Sequence, residues 1–157
     1  MTTNNAFGGT ALATRLVDAL YTEAMLLADE TRSYFDDAGR EERDALAPGL
    51  RVEFACEALK GTTRLMQIVG WLLMRKAVHA GELPHDAGSA DNRRLGDAPA
   101  LDAAVVAQLP ETAKRLLVSG EDLYQRVRRM DEGIGMPAPT ATASPALSLL
   151  HRLEQSI

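Results

Sequence analysis

His79, His85 and His151, the single Cys56, and the carboxylate clusters Asp36-Asp37, Glu41-Glu42 and Asp131-Glu132 are the side chains with which this 157-residue chain would have to do acid–base, nucleophilic or metal chemistry. Their spacing serves none of it. No two His or Cys residues stand at the separations that place metal ligands on one helix face or across one turn. The histidines fall at a helix end, in a loop and in the tail, and the carboxylates at helix ends and turns, where solvation explains them. Cys56 sits in a column of small residues, which makes it a buried, inert thiol rather than a nucleophile. The chain holds no GxGxxG, no GKS/T and no HExxH, and the Gly8-Gly9-Thr10 triplet is too short to cradle phosphate. The expectation is no catalytic residue, no metal ligand and no cofactor.

One basic cluster stands out. "YQRVRRMDE" brings Arg126, Arg128 and Arg129 together near the end of a helix, where cations complement the negative end of the dipole. Contact with an acidic partner or a phosphate is the other reading. A net charge of −5 and the absence of aromatics interleaved with the arginines argue against a general nucleic-acid binder. A nucleic-acid-associated regulator therefore stands as the alternative function, to be separated by the salt dependence of binding.

These side chains must be positioned by helices. Aromatic residues make up only 4% of the chain, so the core is drawn from Leu, Ala, Val and Met, a composition that favours closely packed helices over sheets. The pattern predicts a first helix over about 11–37, capped by Thr10 and stopped by Gly39. Its apolar columns are Ala13, Leu20, Leu27, Tyr34 and Val17, Ala24, Thr31. A second helix is expected over about 50–80, with Gly81 as its stop, and a third over about 110–131 behind Pro110. Between them, 82–108 reads as a long connector with a short helical piece near Leu101 to Leu109. The fold expected is an all-α antiparallel three-helix bundle, residues 10–132, with a long 2–3 connector. A flexible tail, 133–157, follows and carries a short last helix after Ser144-Pro145.

The second helix contains "GTTRLMQIVGWLLMRKAVHAGE", the most apolar stretch of the chain. Its uninterrupted run is half the length of a membrane span and is flanked by Arg64 and Arg75-Lys76. On a helical wheel, Val52, Leu59, Met66, Leu73 and Ala58, Leu65, Leu72 form a broad stripe assigned to the core. Cys56, Thr63, Gly70 and Ala77 form a small-residue column suited to close helix approach. Gln67, Trp71, Met74 and Val78 are left over on a face expected to meet solvent, which makes them candidates for a dimer or partner interface. The connector folding back over them is the competing reading. In the tail, Leu147, Leu150, Leu153 and Ile157 share one face of a segment too short to be a stable helix alone, so it must dock on its own bundle or on a partner.

Four stretches together carry a resemblance: "LYTEAMLLADETRSYFDDAGREERDAL" (20–46), "FACEALKGTTRLMQIVGWLLMRKAVHAGE" (54–82), "RRLGD" (93–97) and "LPETAKRLLVSGEDLYQRVRRMDE" (109–132). They resemble the alphaproteobacterial RcdA-like family, named for the regulator of CtrA degradation. The resemblance implies a homodimeric three-helix bundle without enzymatic activity, acting as a cytoplasmic proteolytic adaptor that is recruited to a cell pole. It also implies the partners: the ClpXP protease, a CpdR-like primer and cell-cycle protein substrates. The resemblance fades over 83–92 and after Glu132, where cargo and adaptor contacts would differ.

Overall fold

The structure, a computed structural model, describes residues 4–84 and 94–135. Its elements are α1 (Asn4–Ser33), a π-helical turn (Tyr34–Ala38), α2 (Gly39–Asp44), α3 (Pro48–His79), α4 (Ala103–Val106) and α5 (Glu111–Gly135), so the described chain is an all-helical bundle of three long helices, as expected.

The boundaries differ from the expected ones for identifiable reasons. α1 begins at Asn4, so Thr10 lies within the helix and not at its start. Gly39 does not stop the first helix either. The backbone widens by one residue, with the Gly39 N–H bonding to the Tyr34 carbonyl, and continues into α2. A Cβ on Gly39 would lie 2.7 Å from the Tyr34 carbonyl oxygen and 3.1 Å from its ring, so this position needs glycine for close approach and not for a turn. The widened turn seats Tyr34 and Phe35 against Phe54, with Phe35 and Phe54 edge to face at 5.2 Å. The Tyr34 hydroxyl donates to Glu42, fixing α2 back on this cluster.

α3 opens on Pro48, whose missing N–H costs nothing in a first turn. It closes as anticipated: Gly81 takes φ +78°, Glu82 N–H bonds to the Ala77 carbonyl at 2.9 Å, and Gly81 N–H bonds to the Val78 carbonyl at 3.1 Å. These paired bonds are a Schellman ending that only a left-handed residue permits. The short helical piece in the connector is α4, capped by the Asp102 carboxylate on Val105 N–H. α5 runs past residue 131 to Gly135.

Side-chain pairs fix the directions. Asp18 meets Lys76 and Phe35 meets Phe54, so α1 and α3 are antiparallel, and Glu30 with Arg115 and Glu23 with Arg126 make α1 antiparallel to α5. Gly61 faces Leu117, Arg64 meets Glu121 and Trp71 meets Asp131, so α3 and α5 run side by side in the same direction. Two parallel neighbours require a chain that returns the length of the bundle, which is what the long connector does. The core divides in two. One half gathers around Val17, Ala24, Ile68, Trp71, Leu72, Leu123 and Val127, the other around Tyr34, Phe54, Val106, Leu109, Leu116 and Leu117.

Candidate protein-binding surface

α3 buries only part of the face its apolar residues suggest: Leu65 and Leu72 are 6% and 0% exposed, as expected. Val52, Leu59, Met66 and Leu73, assigned above to the core, are 63%, 69%, 70% and 47% exposed. Trp71 and Val78, expected at the surface, are 4% and 3% exposed. Gln67 and Met74 are half-buried beside them. Besides Leu65 and Leu72, the buried columns are Glu57, Arg64, Trp71, Val78 and Phe54, Gly61, Ile68, Arg75, which mix charge with apolar groups. Cys56 is exposed, and a Cβ on Gly70 would meet no neighbouring atom, so the small-residue column is no packing seam. Of the small residues, only Gly61 has that role: its missing side chain admits Leu117, whose Cδ2 would lie 2.8 Å from a Cβ there.

The cover over Trp71 is the connector. Residues 94–102 lie in the groove between α3 and α5 and run against both, with Leu95 and Ala98 packed on one half of the core and Leu101 on the other. Asp131 is the clasp. It is 4% exposed, and it accepts from Trp71 Nε1 at 3.0 Å, Arg94 Nε at 3.0 Å and the Leu95 backbone N–H at 3.3 Å. The Gly96 carbonyl accepts from the Tyr124 hydroxyl at 2.8 Å, and a Cβ on Gly96 would overlap the Gln67 amide. The Pro99 carbonyl accepts from Arg64 Nε at 3.3 Å. Gln67, Trp71, Met74 and Val78 are therefore not an exposed interface: the chain covers them itself, with polar anchors that outweigh what apolar exposure alone predicted. Asp131, read from sequence as a solvated carboxylate, is an interior acceptor.

Arg64 is fully buried between Glu57, also fully buried, and Glu121. Its Nε lies 3.1 Å from Glu121, and its Nη2 lies 3.9 Å from Glu57, which is an ionic contact without a hydrogen bond. Lys60 holds the other Glu57 oxygen at 2.8 Å. Arg75, 9% exposed, lies over the Trp71 ring with Cζ 6.0 Å from the centroid. Burial pulls its pKa down, and the Asp131 charge opposes that pull.

The surface α3 leaves open is on its other flank, against α1. Met25, Ala28 and Phe35 from α1 and the π turn, with Leu65, Met66, Val69, Gly70 and Leu73 from α3, line a cavity of about 630 Å³ whose rim carries Arg32 and Asp36. The exposed column Val52, Leu59, Met66, Leu73 spans roughly 30 Å of α3, and its last two residues line this cavity. Two methionines and a glycine floor make an adaptable apolar trough suited to a partner helix. A second apolar feature lies on the outer face of α1, where Leu12, Leu16 and Leu26 are 69%, 48% and 69% exposed.

The arginine cluster is less free than its spacing suggested. Arg126 pairs with Glu23, a bond that raises its pKa, and Arg128 pairs with Glu132 at 3.2 Å. Arg129 is exposed. Among the described residues no group of His, Cys, Asp and Glu is assembled to hold a metal ion, and no helix is long and apolar enough to cross a membrane. His85, His151 and the tail residues Leu147, Leu150, Leu153 and Ile157 lie outside the described residues.

Comparison with known proteins gives one family. The model described as "Protein of unknown function (DUF1465)" matches residues 9–157. Among solved structures, the crystal structure of RcdA from Caulobacter crescentus CB15 is similar to this chain at 34% sequence identity. The match covers 80% of this chain and 96% of that one, with a TM-score of 0.66. No curated protein matches. "RRLGD", part of the resemblance read from sequence, holds Arg94, Leu95 and Gly96, residues that fasten the connector.

Proposed function

The chain belongs to the DUF1465, RcdA-like family, and from that premise we propose that it is a non-enzymatic adaptor that presents the α1–α3 groove to protein partners. On this reading it is cytoplasmic and acts at a cell pole, where it helps to deliver regulatory substrates to the ClpXP protease together with a CpdR-like primer. The observation that carries the reading is the groove. A molecule that seals Trp71 with three hydrogen bonds to one carboxylate leaves Met66 70% and Leu73 47% exposed on the opposite flank of the same helix. An open apolar trough in an otherwise well-closed bundle fits a surface kept for a partner helix.

The homodimer is part of the same proposal and is assigned to the outer face of α1, where Leu12, Ala19 and Leu26 recur every seven residues with Leu16 between them. Leu16→Glu converts dimer to monomer in sedimentation equilibrium, and an unchanged mass overturns that assignment. The adaptor reading is tested by the rate at which ClpXP, primed by the CpdR-like protein, degrades CtrA with and without this protein. The expected result is faster degradation with the native chain and none of the gain with Leu73→Lys. Equal rates in all three reactions overturn it.

A further inference from the structure

The α1–α3 groove is open among the described residues. We propose that Ser144–Ile157 docks there as a fourth helix, antiparallel to α3, so that a partner must displace it. The inference stands on the groove's shape and on chain connectivity, and its test contains no partner, so it succeeds or fails apart from the adaptor reading.

Length and periodicity match. The groove follows α3 from Thr62 to Leu73, roughly 17 Å. A helix over 144–157 is about 21 Å long, and Leu147, Leu150, Leu153 and Ile157 fall on one side of it. Such a segment does not hold a helix alone, because nucleation outweighs so few propagation steps. It gains stability only by laying that apolar side on a surface, and this trough, with Met66, Val69 and Leu73 in its lining, is such a surface.

Connectivity also fits. α5 ends at Gly135, at the end of the bundle where α3 also ends, since Asp18 meets Lys76 and Glu23 meets Arg126. Eight residues, 136–143, lie between Gly135 and Ser144, and the nine Cα–Cα steps reach about 30 Å when extended. The path required is about two helix spacings around the bundle and about 16 Å back along it to the level of Met25. The segment then enters at Leu73 and runs towards Phe35, which brings Glu154 to the Arg32 rim. A tether of this length holds the segment at an effective concentration in the millimolar range, above that of most partners in a cell.

Two measurements on the full chain test this. In the first, Cys56→Ser, Gly70→Cys and Leu150→Cys are combined and oxidised over a hundredfold range of dilution. The expected product is a monomeric disulfide formed at a rate independent of dilution. A dimeric disulfide whose rate falls with dilution places a second copy in the groove, and no disulfide leaves the groove empty; either result overturns the proposal. In the second, trypsin cleavage after Arg152, which removes Leu153–Ile157, is followed in the native chain and in Gly70→Leu. The new side chain fills the groove where a Cβ meets no neighbouring atom, so the fold is retained. Cleavage at least tenfold faster in the variant supports docking, and equal rates overturn it.

Discussion

The two grooves that border α3 share a helix and little else. Between α3 and α5 the groove is lined by Arg64, Gln67, Trp71 and Arg75, a mixed and partly charged set, and it is closed by an irregular strap of the chain. Between α3 and α1 the groove is lined by Met66, Val69 and Leu73, more apolar throughout, and the described residues leave it open. Hydrophobicity alone predicts the reverse. The difference lies in what each surface asks of its cover. A loop lying across a groove brings unpaired backbone N–H and C=O groups that must find partners, and only the α3–α5 groove supplies them: Asp131 for Leu95, Tyr124 for Gly96 and Arg64 for Pro99. The apolar groove keeps its charged groups, Arg32 and Asp36, at the rim, so its floor suits a helix, which satisfies its own backbone, and not a loop.

The contrast can be broken most severely at Arg64. Arg64→Ala leaves Glu57 charged and buried with only Lys60 beside it, and the expected loss is about 3–5 kcal/mol in urea unfolding. A loss below about 1 kcal/mol would mean that the buried charges do not hold the closed groove. Next comes Asp131→Ala, which strands Trp71 Nε1, Arg94 and the Leu95 N–H. A loss of about 2–4 kcal/mol is expected, with a red-shifted Trp71 emission as water reaches the ring; an unshifted spectrum would show that the strap stays in place without its clasp. The two glycines of α3 give a sharper, smaller comparison. Gly61→Ala drives a Cβ against Leu117 and should cost about 1–3 kcal/mol, whereas Gly70→Ala meets no neighbour and should gain about 0.5–1 kcal/mol through helix propensity. Thermal melts of the two variants read opposite signs if the grooves differ as described. The smallest effect belongs to the open side: in a chain ending at Gly135, Met66→Lys and Leu73→Lys should each change stability by no more than about 0.5 kcal/mol. A larger loss would mean that the open groove belongs to the folded core.

How much of this was legible depended on which signal carried it. The three long helices, the stop at Gly81 and the short helix before Pro110 were readable because caps and turn residues act locally. The family was readable because whole stretches resemble it. The burial of α3 was legible only for Leu65 and Leu72, because the wheel ranks residues by apolarity, and this helix turns Glu57 and Arg64 inward while Leu59 and Met66 face out. The competing reading, in which the connector folds back over Trp71, was the one that held. Spacing did contain a clue: Glu57, Arg64, Trp71 and Val78 recur every seven residues, so one opposite-charge pair and one aromatic share a column. Asp131 was missed because an acidic residue near a helix end is usually solvated, and nothing adjacent in sequence reveals partners 36, 37 and 60 residues away.

Those separations have a consequence during synthesis. α1 and α3 are both complete once His79 has left the ribosome, and they can pair as a hairpin. Trp71, however, receives its cover and its hydrogen bond only after Asp131 has been added. At about 5–20 residues per second, the tryptophan flank of the nascent hairpin stays bare for several seconds. The face best hidden in the finished molecule is thus the one most exposed to chaperones and to misassembly while the chain is being made.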